Sequence, residues 1–509
     1  MKPPRIQPSS RLNGVKYEIR GPLARRASEL EKAGYEIIKL NIGNPGAFGF
    51  RAPETMRLAM IENLREADAY CYQKGIFPAR EAVVMQQQLR GVSDVTADDV
   101  FMGNGVSELI LFCLSALLEA GDEVLIPSPD YPLWTAATIL HSGKAVHYPC
   151  RPENGFVPDP AEIRSRITSR TRAIVVINPN NPTGAVYPLE TLKEIARIAE
   201  EHRLVVFSDE IYDQVTFDAA EHVPLATLIK KTLCATFGGL SKVYRACGFR
   251  VGWVSFSGEK GGARDYLQAL ELLASLRLCS NVPGQWAVQT ALGGKQSITE
   301  LTRPGGRLWK TRQAILDAVA TSPFLKVVAP QGAMYAFIGV KTELLPNFDD
   351  QKFALELLER KHVLVAPGTS FNVEYKDHFR VTLLPDWETM RDVFNRINDL
   401  LQEHYNETPD TVEIHEEHGH AEHAAHSEVH AAHSEVHADH AVHATATELA
   451  FSLPDVHELH AHEDDALAHK DEDLEHSAHE AAAEHHDDLN GKHSEDEIPA
   501  GLDPMHEAP

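Results

Sequence analysis

Apolar positions along this chain change their spacing in a regular way. Residues 36–42, EIIKLNI, read as a short strand that ends at a Gly/Pro/Asn loop, GNPGAFGF. Residues 107–120, SELILFCLSALLEA, are apolar at helical spacing, whereas 123–129, EVLIPSP, form a short apolar run stopped by prolines. The alternation then repeats. RAIVVINPNNPTG (172–184) is a β-branched run followed by turn residues, LETLKEIARIAEEH (189–202) an amphipathic helix, and LVVFSDEIY (204–212) another buried strand. TLCATFGGLSK (232–242) and FRVGWVSF (249–256) follow. Strands that are apolar on both faces and alternate with helices predict a mostly parallel sheet covered by helices. Residues 265–292 predict one long helical stretch. Residues 321–405 predict a smaller α/β unit, with FLKVVAPQGAMYAFIGV, a helix near 351–361, HVLVAPGTSF and HFRVTLLP, closing over the first.

In such sheets ligands bind beyond the carboxyl ends of the strands. Asn181, Asp209, Tyr212 and Lys242 all fall at or just past predicted strand ends. Core packing alone does not predict that placement.

Composition refines the picture. A chain of 509 residues is long enough for two folded domains with additions. Its net charge of −26 is unevenly spread: residues 411–509 hold 26 acidic residues against Lys470 and Lys492, which leaves −2 on residues 1–410. A near-neutral body with no Lys/Arg cluster predicts neither nucleic acid nor a membrane surface as partner. MKPPRIQPSSRLNG carries no apolar segment, so no secretory signal is expected, and no apolar run is long enough to span a bilayer. Six scattered cysteines without a Cys-x-x-Cys pair predict reduced thiols and a cytoplasmic location.

The polar residues at the strand ends suit one chemistry. A lysine amine can bond an aldehyde. If the aldehyde is pyridoxal phosphate, an acid must hold the ring nitrogen protonated and donors must bind the ring oxygen. Helix-terminal amides and a cation must hold the phosphate, and an arginine must take a substrate carboxylate through two parallel hydrogen bonds.

The motifs NPNNPTG (178–184), SDEIY (208–212) and GLSKVYRACGFRVGW (239–253), in this order, resemble the class I/II aminotransferases of fold type I. The resemblance covers about residues 12–405. It implies a large domain with a mostly parallel, mixed seven-stranded sheet, a smaller α/β domain and pyridoxal 5′-phosphate as cofactor. The implied organisation is an N-terminal segment (1–50) contributing to the small domain and active site, a large cofactor-binding domain (51–300), a small domain (301–408) and a tail (409–509). Lys242 is then the buried amine that bonds the cofactor and later carries the α-proton. Asp209 pairs with the ring nitrogen, Asn181 and Tyr212 bind the ring oxygen, and Tyr131 stacks on the ring. Gly105, Val106, Ser241 and Arg250 hold the phosphate, joined by Tyr70 from a neighbouring subunit, which implies a homodimer. Arg380 takes the substrate carboxylate, with Gly43 and Asn181 beside it. One departure stands out: many members place a second serine three residues before the lysine, where this chain has Gly239.

YEIRGP (17–22), LNIGNPGAFGF (40–50), PDYPLWTAA (129–137), SGKAVHY (142–148) and LRLCSNVP (276–283) narrow the resemblance to bacterial alanine aminotransferases. The implied reaction converts L-alanine and 2-oxoglutarate to pyruvate and L-glutamate by ping-pong exchange. Tyr17 and Arg20 are expected on a mobile segment, with Arg20 offering a cation to glutamate. Branched-chain or aromatic transamination and carbon–sulfur β-elimination remain alternatives that use the same cofactor. The tail adds another class. It holds 20 of the 27 histidines, with a seven-residue repeat over 424–437, and its acidity predicts disorder with local helix. His426, His430, His433, His437 and His440 would share one helix face, a spacing that suits zinc or nickel and raises a metal-binding or storage role.

Overall fold

The computed structural model describes residues 6–15 and 21–407. Thirteen strands occur among them: β1 (Ile38–Lys39), β2 (Val100–Gly103), β3 (Glu123–Ser128), β4 (Lys144–Pro149), β5 (Thr171–Ile177), β6 (Val205–Asp209), β7 (Leu233–Gly239), β8 (Gly252–Gly258), β9 (Leu325–Val327), β10 (Tyr335–Val340), β11 (Val363–Leu364), β12 (Ala366–Pro367) and β13 (His378–Thr382). Seven form one sheet in the order β2-β8-β7-β6-β5-β3-β4. Only β8 runs against the others. This is the mostly parallel, mixed α/β sheet that the apolar runs predict.

Both faces of the sheet are covered, and the strands show why. Along β5, Ile174 and Val176 pack to one side with Val206, while Ala173, Val175 and Ile177 pack to the other with Phe207. Period-two alternation of apolar residues on both faces requires a core on each side. The helix Leu189–His202 supplies one cover: Leu192, Ile195, Ala196, Ile198 and Ala199 are buried, and Arg203, in the left-handed region at φ 54°, ends it. On the opposite face Trp134 stacks on Phe207 at 5.6 Å and meets Phe237 edge-on at 5.3 Å.

The register aligns the strand ends that matter. Ile177 lies opposite Asp209, so β5 and β6 finish level, while β7, with Phe237 opposite Asp209, runs two residues further to Gly239.

A second sheet, β12-β13-β10-β9, is antiparallel and places Phe337 opposite Arg380 and Tyr335 opposite Thr382. The N-terminal part of the chain joins it. β1 pairs in parallel with β11, the Leu40 amide donates to the Leu364 carbonyl at 2.7 Å, and the Thr382 amide donates to the Leu40 carbonyl at 3.1 Å. These bonds deliver Gly43 beside β10 and β13.

Two expectations change. The strand expected over 36–42 shrinks to Ile38–Lys39, because beyond Leu40 the chain bends into the Gly/Pro loop. The helix expected over 265–292 is three helices: Arg264–Leu276, Val282–Gln285 and Ala287–Gly293. Leu278 adopts φ 71°, and the Asn281 side chain accepts from the Gly284 amide to cap the next helix, with Pro283 in its first turn. The chain divides into Met1–His415 and Glu416–Pro509, and every described residue lies in the first unit. Among the described residues no helix is long and apolar enough to cross a membrane.

Candidate active site

Five strands that end at one edge of the sheet carry the candidate residues. Asp209 is the last residue of β6, Lys242 lies three residues past β7, and Asn181 four past β5. Tyr131 lies three past β3, and Gly105 two past β2. A run that must leave a sheet and turn carries its polar residues at that point, so the sheet's topology gathers what the sequence scatters.

Lys242 sits in a tight turn. The Arg245 amide donates to the Lys242 carbonyl at 3.1 Å, the Ala246 amide donates to the Leu240 carbonyl at 3.0 Å, and the Cys247 thiol donates to the Ser241 carbonyl at 2.9 Å. The Lys242 Nζ donates to the Gly43 carbonyl at 2.7 Å and stands 5.9 Å from the Tyr212 ring centroid. Lys242 is half-buried, not fully buried as expected, because the turn opens toward the cleft.

Asp209 is 3% exposed. The Trp134 indole N–H donates to its Oδ2 at 3.0 Å, and the Ile211 amide donates to Oδ1 at 3.4 Å. Burial raises its carboxyl to about 6, against the opposing pull of those donors and of Lys242. A carboxylate held this way, with neutral donors on it, invites a cation.

On the other side of the cleft Arg380 is 1% exposed. Its guanidinium lies between two rings, 4.1 Å from the Tyr335 centroid and 4.6 Å from that of Phe371. Nη1 donates to Asn181 Oδ1 at 2.7 Å, and Nη2 donates to the Asn41 carbonyl. The Tyr212 hydroxyl donates to the Tyr335 hydroxyl at 3.0 Å. Burial pushes the Tyr212 phenol well above its ordinary range. Gly43 cannot be larger here: a methyl group on it would sit 2.1 Å from the Tyr335 hydroxyl.

A cradle closes the third side. Gly105, at φ 86°, precedes the helix Val106–Leu117, whose start no side chain caps. The exposed Arg250 arches over it, donating to the Asn104 carbonyl at 3.2 Å and the Cys247 carbonyl at 2.9 Å. A Cβ on Gly105 would lie 2.3 Å from the Arg250 Nη2, and one on Gly252 would lie 2.5 Å from the Val106 amide. Uncapped helix amides and a guanidinium packed close beside them suit an anion. Gly239 has its own reason: a Cβ there would meet the Val251 carbonyl at 2.9 Å and Gly252 Cα at 3.1 Å.

The structure thus brings together Lys242, Gly43, Tyr212, Asn181 and Arg380, with Asp209 electrostatically coupled to Lys242 and Gly105, Val106 and Arg250 at the cradle. Ser241 adjoins Lys242 and, like Tyr131, is half-buried. Tyr70 stands apart, 79% exposed. Tyr17, Arg20 and the five tail histidines lie outside the described residues. Among the described residues no cluster of His, Cys, Asp or Glu could hold a metal. Two residues escaped the sequence reading. Tyr335 reads as core in YAFIGV, and Trp134 as an apolar helix position, yet each places a polar atom in the site.

Known proteins share the fold and family of this chain. The family profile "Aminotransferase class I and II" matches residues 35–397. The chain is 50% identical over 380 residues to the glutamate-pyruvate aminotransferase AlaA of Escherichia coli strain K12, covering 75% of this chain and 94% of that protein. It is 47% identical over 394 residues to the alanine aminotransferase of Mycobacterium tuberculosis strain H37Rv, covering 77% and 92%. Among solved structures, an aminotransferase from Escherichia coli superposes with a TM-score of 0.77 at 48% identity, covering 78% of this chain and 99% of that one. The alanine aminotransferase from Pyrococcus furiosus follows at 0.74 and 37%, covering 78% and 100%. The chain therefore belongs to the class I and II aminotransferases, pyridoxal-phosphate enzymes of fold type I that act on amino acids and 2-oxo acids.

Proposed function

We propose that this chain is an alanine aminotransferase, exchanging an amino group between L-alanine and 2-oxoglutarate to give pyruvate and L-glutamate in a ping-pong sequence. The observation that carries it is the gathering of Lys242, Asp209, Asn181, Tyr212 and Arg380, from separate motifs, around one cleft. The relatives named for alanine or glutamate–pyruvate support the choice of substrates.

The residues fit pyridoxal phosphate. Bound there, it supplies an aldehyde for the amine and a ring that accepts the electrons left by the α-proton. Lys242 supplies the amine that attaches it and then moves the proton at the substrate Cα. Asp209, buried and without an arginine or lysine hydrogen bond among the described residues, holds a proton on the ring nitrogen, and the Trp134 indole keeps that carboxylate ionised and aimed. Tyr212 and Asn181 hold the ring oxygen, and Tyr131 covers the ring. The Gly105 and Val106 amides, Ser241 and Arg250 take the phosphate. Arg380 presents two N–H groups to the substrate carboxylate, with Asn181 and Gly43 beside it. Its sandwich between Tyr335 and Phe371 fixes the plane of the fork.

Tyr70, exposed here, reaches the phosphate of a second copy in a homodimer. Exposed Ile61, Leu64, Leu272, Leu276 and Leu278 support that surface. The 270s lie against the Tyr70 segment, since Tyr72 and Gln73 both donate to Glu271. Residues 1–50, 51–300, 301–408 and 409–509 act as N-terminal segment, large domain, small domain and tail, in a cytoplasmic enzyme. The tail histidines bind zinc or nickel, with affinity lost below about pH 6 as the imidazoles protonate. Equilibrium dialysis of zinc against the full chain and one ending at 407 tests this; equal uptake by both would refute it.

The function is tested by following pyruvate from L-alanine in purified protein supplied with pyridoxal phosphate. Pyruvate should require both 2-oxoglutarate and Lys242, vanishing in Lys242→Ala. Ammonia released without an oxo acid would instead mark an elimination enzyme.

A further inference from the structure

The roles above leave the Tyr335 hydroxyl without a task. It is nonetheless held in place. Tyr335 is 3% exposed, and its β10 strand is bonded to β13 on one side and β9 on the other. Its ring carries the Arg380 guanidinium at 4.1 Å. Its hydroxyl fills the space a side chain on Gly43 would need and lies 3.0 Å from the Tyr212 oxygen.

Proton counting then matters. A phenol has one proton to donate and two lone pairs to accept with. In the chain alone, Tyr212 spends its proton on Tyr335. It cannot donate to a cofactor oxygen at the same time. Resting on the cofactor reading above, we propose that Tyr335 is a positioning residue that acts through Tyr212. When the ring oxygen is present the pair reverses: Tyr335 donates to the Tyr212 oxygen, and Tyr212 donates to the ring oxygen. Each hydroxyl hydrogen swings about its own C–O bond, so no covalent bond breaks and both phenols stay neutral.

The surroundings favour that direction. Burial drives both phenols up, but at Tyr335 the positive charges of Lys242 and Arg380, with the Tyr212 hydroxyl, outweigh burial and the nearby Cys247 and bring it below its ordinary value. Tyr212, which faces Tyr335, Arg380 and Cys247, stays well above. The Arg380 guanidinium over the Tyr335 ring and Lys242 at the neighbouring Gly43 carbonyl favour Tyr335 as the donor of the pair. A donor chain of this kind also strengthens its terminal bond through polarisation.

The test is a pH titration of the bound cofactor's visible absorbance in the holoenzyme. A hydrogen bond to the ring oxygen stabilises its anionic form and lowers the titration midpoint. Tyr335→Phe keeps the ring under Arg380 and removes only the hydroxyl. Its midpoint should rise by about half to one pH unit, the effect of one weakened hydrogen bond. In a Tyr212→Phe background the same change should add no further shift. A Tyr335→Phe enzyme titrating like the wild type, or shifting equally in both backgrounds, overturns the proposal. Wild-type protein that acquires no cofactor absorbance overturns this inference and the proposed function together. Wild-type protein that loads and turns over alanine while Tyr335→Phe titrates unchanged overturns this inference alone.

Discussion

Asp209→Asn should make the cofactor-free protein more stable and the cofactor-loaded protein less so. The Asp209 carboxyl goes from an ordinary 3.8 to about 6 on folding, driven by burial. A carboxyl raised in this way favours its protonated form in the folded state. Its contribution to stability is intact below the unfolded value and is lost as pH rises through the folded one. Two units correspond to about 3 kcal/mol at neutral pH, with roughly half of it developing between pH 5 and pH 8. Asparagine carries no charge to bury and keeps an oxygen for the Trp134 indole N–H, so Asp209→Asn removes most of this cost. Urea denaturation of cofactor-free wild type and variant across pH 5–8 measures it. The variant's advantage should grow with pH. With saturating pyridoxal phosphate the order should reverse, because binding stabilises whichever chain binds more tightly. A difference independent of pH, or one that shrinks as pH rises, would refute the reasoning.

Other consequences are shorter. Arg380→Lys replaces a planar two-pronged donor with a point charge, and should lower kcat/KM for alanine and glutamate alike by about 100-fold, with cofactor absorbance retained. Equal kinetics to wild type would remove Arg380 from the substrate site. Gly239→Ser should destabilise by about 1–3 kcal/mol, since its Cβ would press on the Val251 carbonyl at 2.9 Å, and should bring no gain in cofactor affinity. A more stable serine variant in thermal melts would contradict that packing. Arg20→Ala should raise KM for glutamate about tenfold and leave KM for alanine near its original value; an equal rise for both substrates would exclude a distal-carboxylate role.

What could be read from the sequence follows from the physics of each element. The β-branched runs that become β5 and β6 end at turn residues, so Asn181 and Asp209 are legible as strand-end residues without a structure. Lys242 and Arg250 are legible because cations within an apolar, turn-rich run need a reason. Tyr335 is not. It sits in a buried strand and becomes a site residue only because β10 pairs with β13 and the chain after Leu40 lies alongside. Trp134 packs as core against Phe207, and nothing in its helix marks its N–H as the donor to Asp209. The broken helix at 277–281 carries a signal in the sequence, Asn281 followed two residues later by Pro283.

The central claim is that Lys242 is the amine to which the cofactor attaches. Borohydride reduces a carbon–nitrogen double bond between a lysine and an aldehyde and so makes the attachment permanent. Peptide mapping by mass spectrometry of the reduced, cofactor-loaded protein should find the pyridoxyl group on the peptide carrying Lys242. The group on another lysine, or on none, would contradict the account.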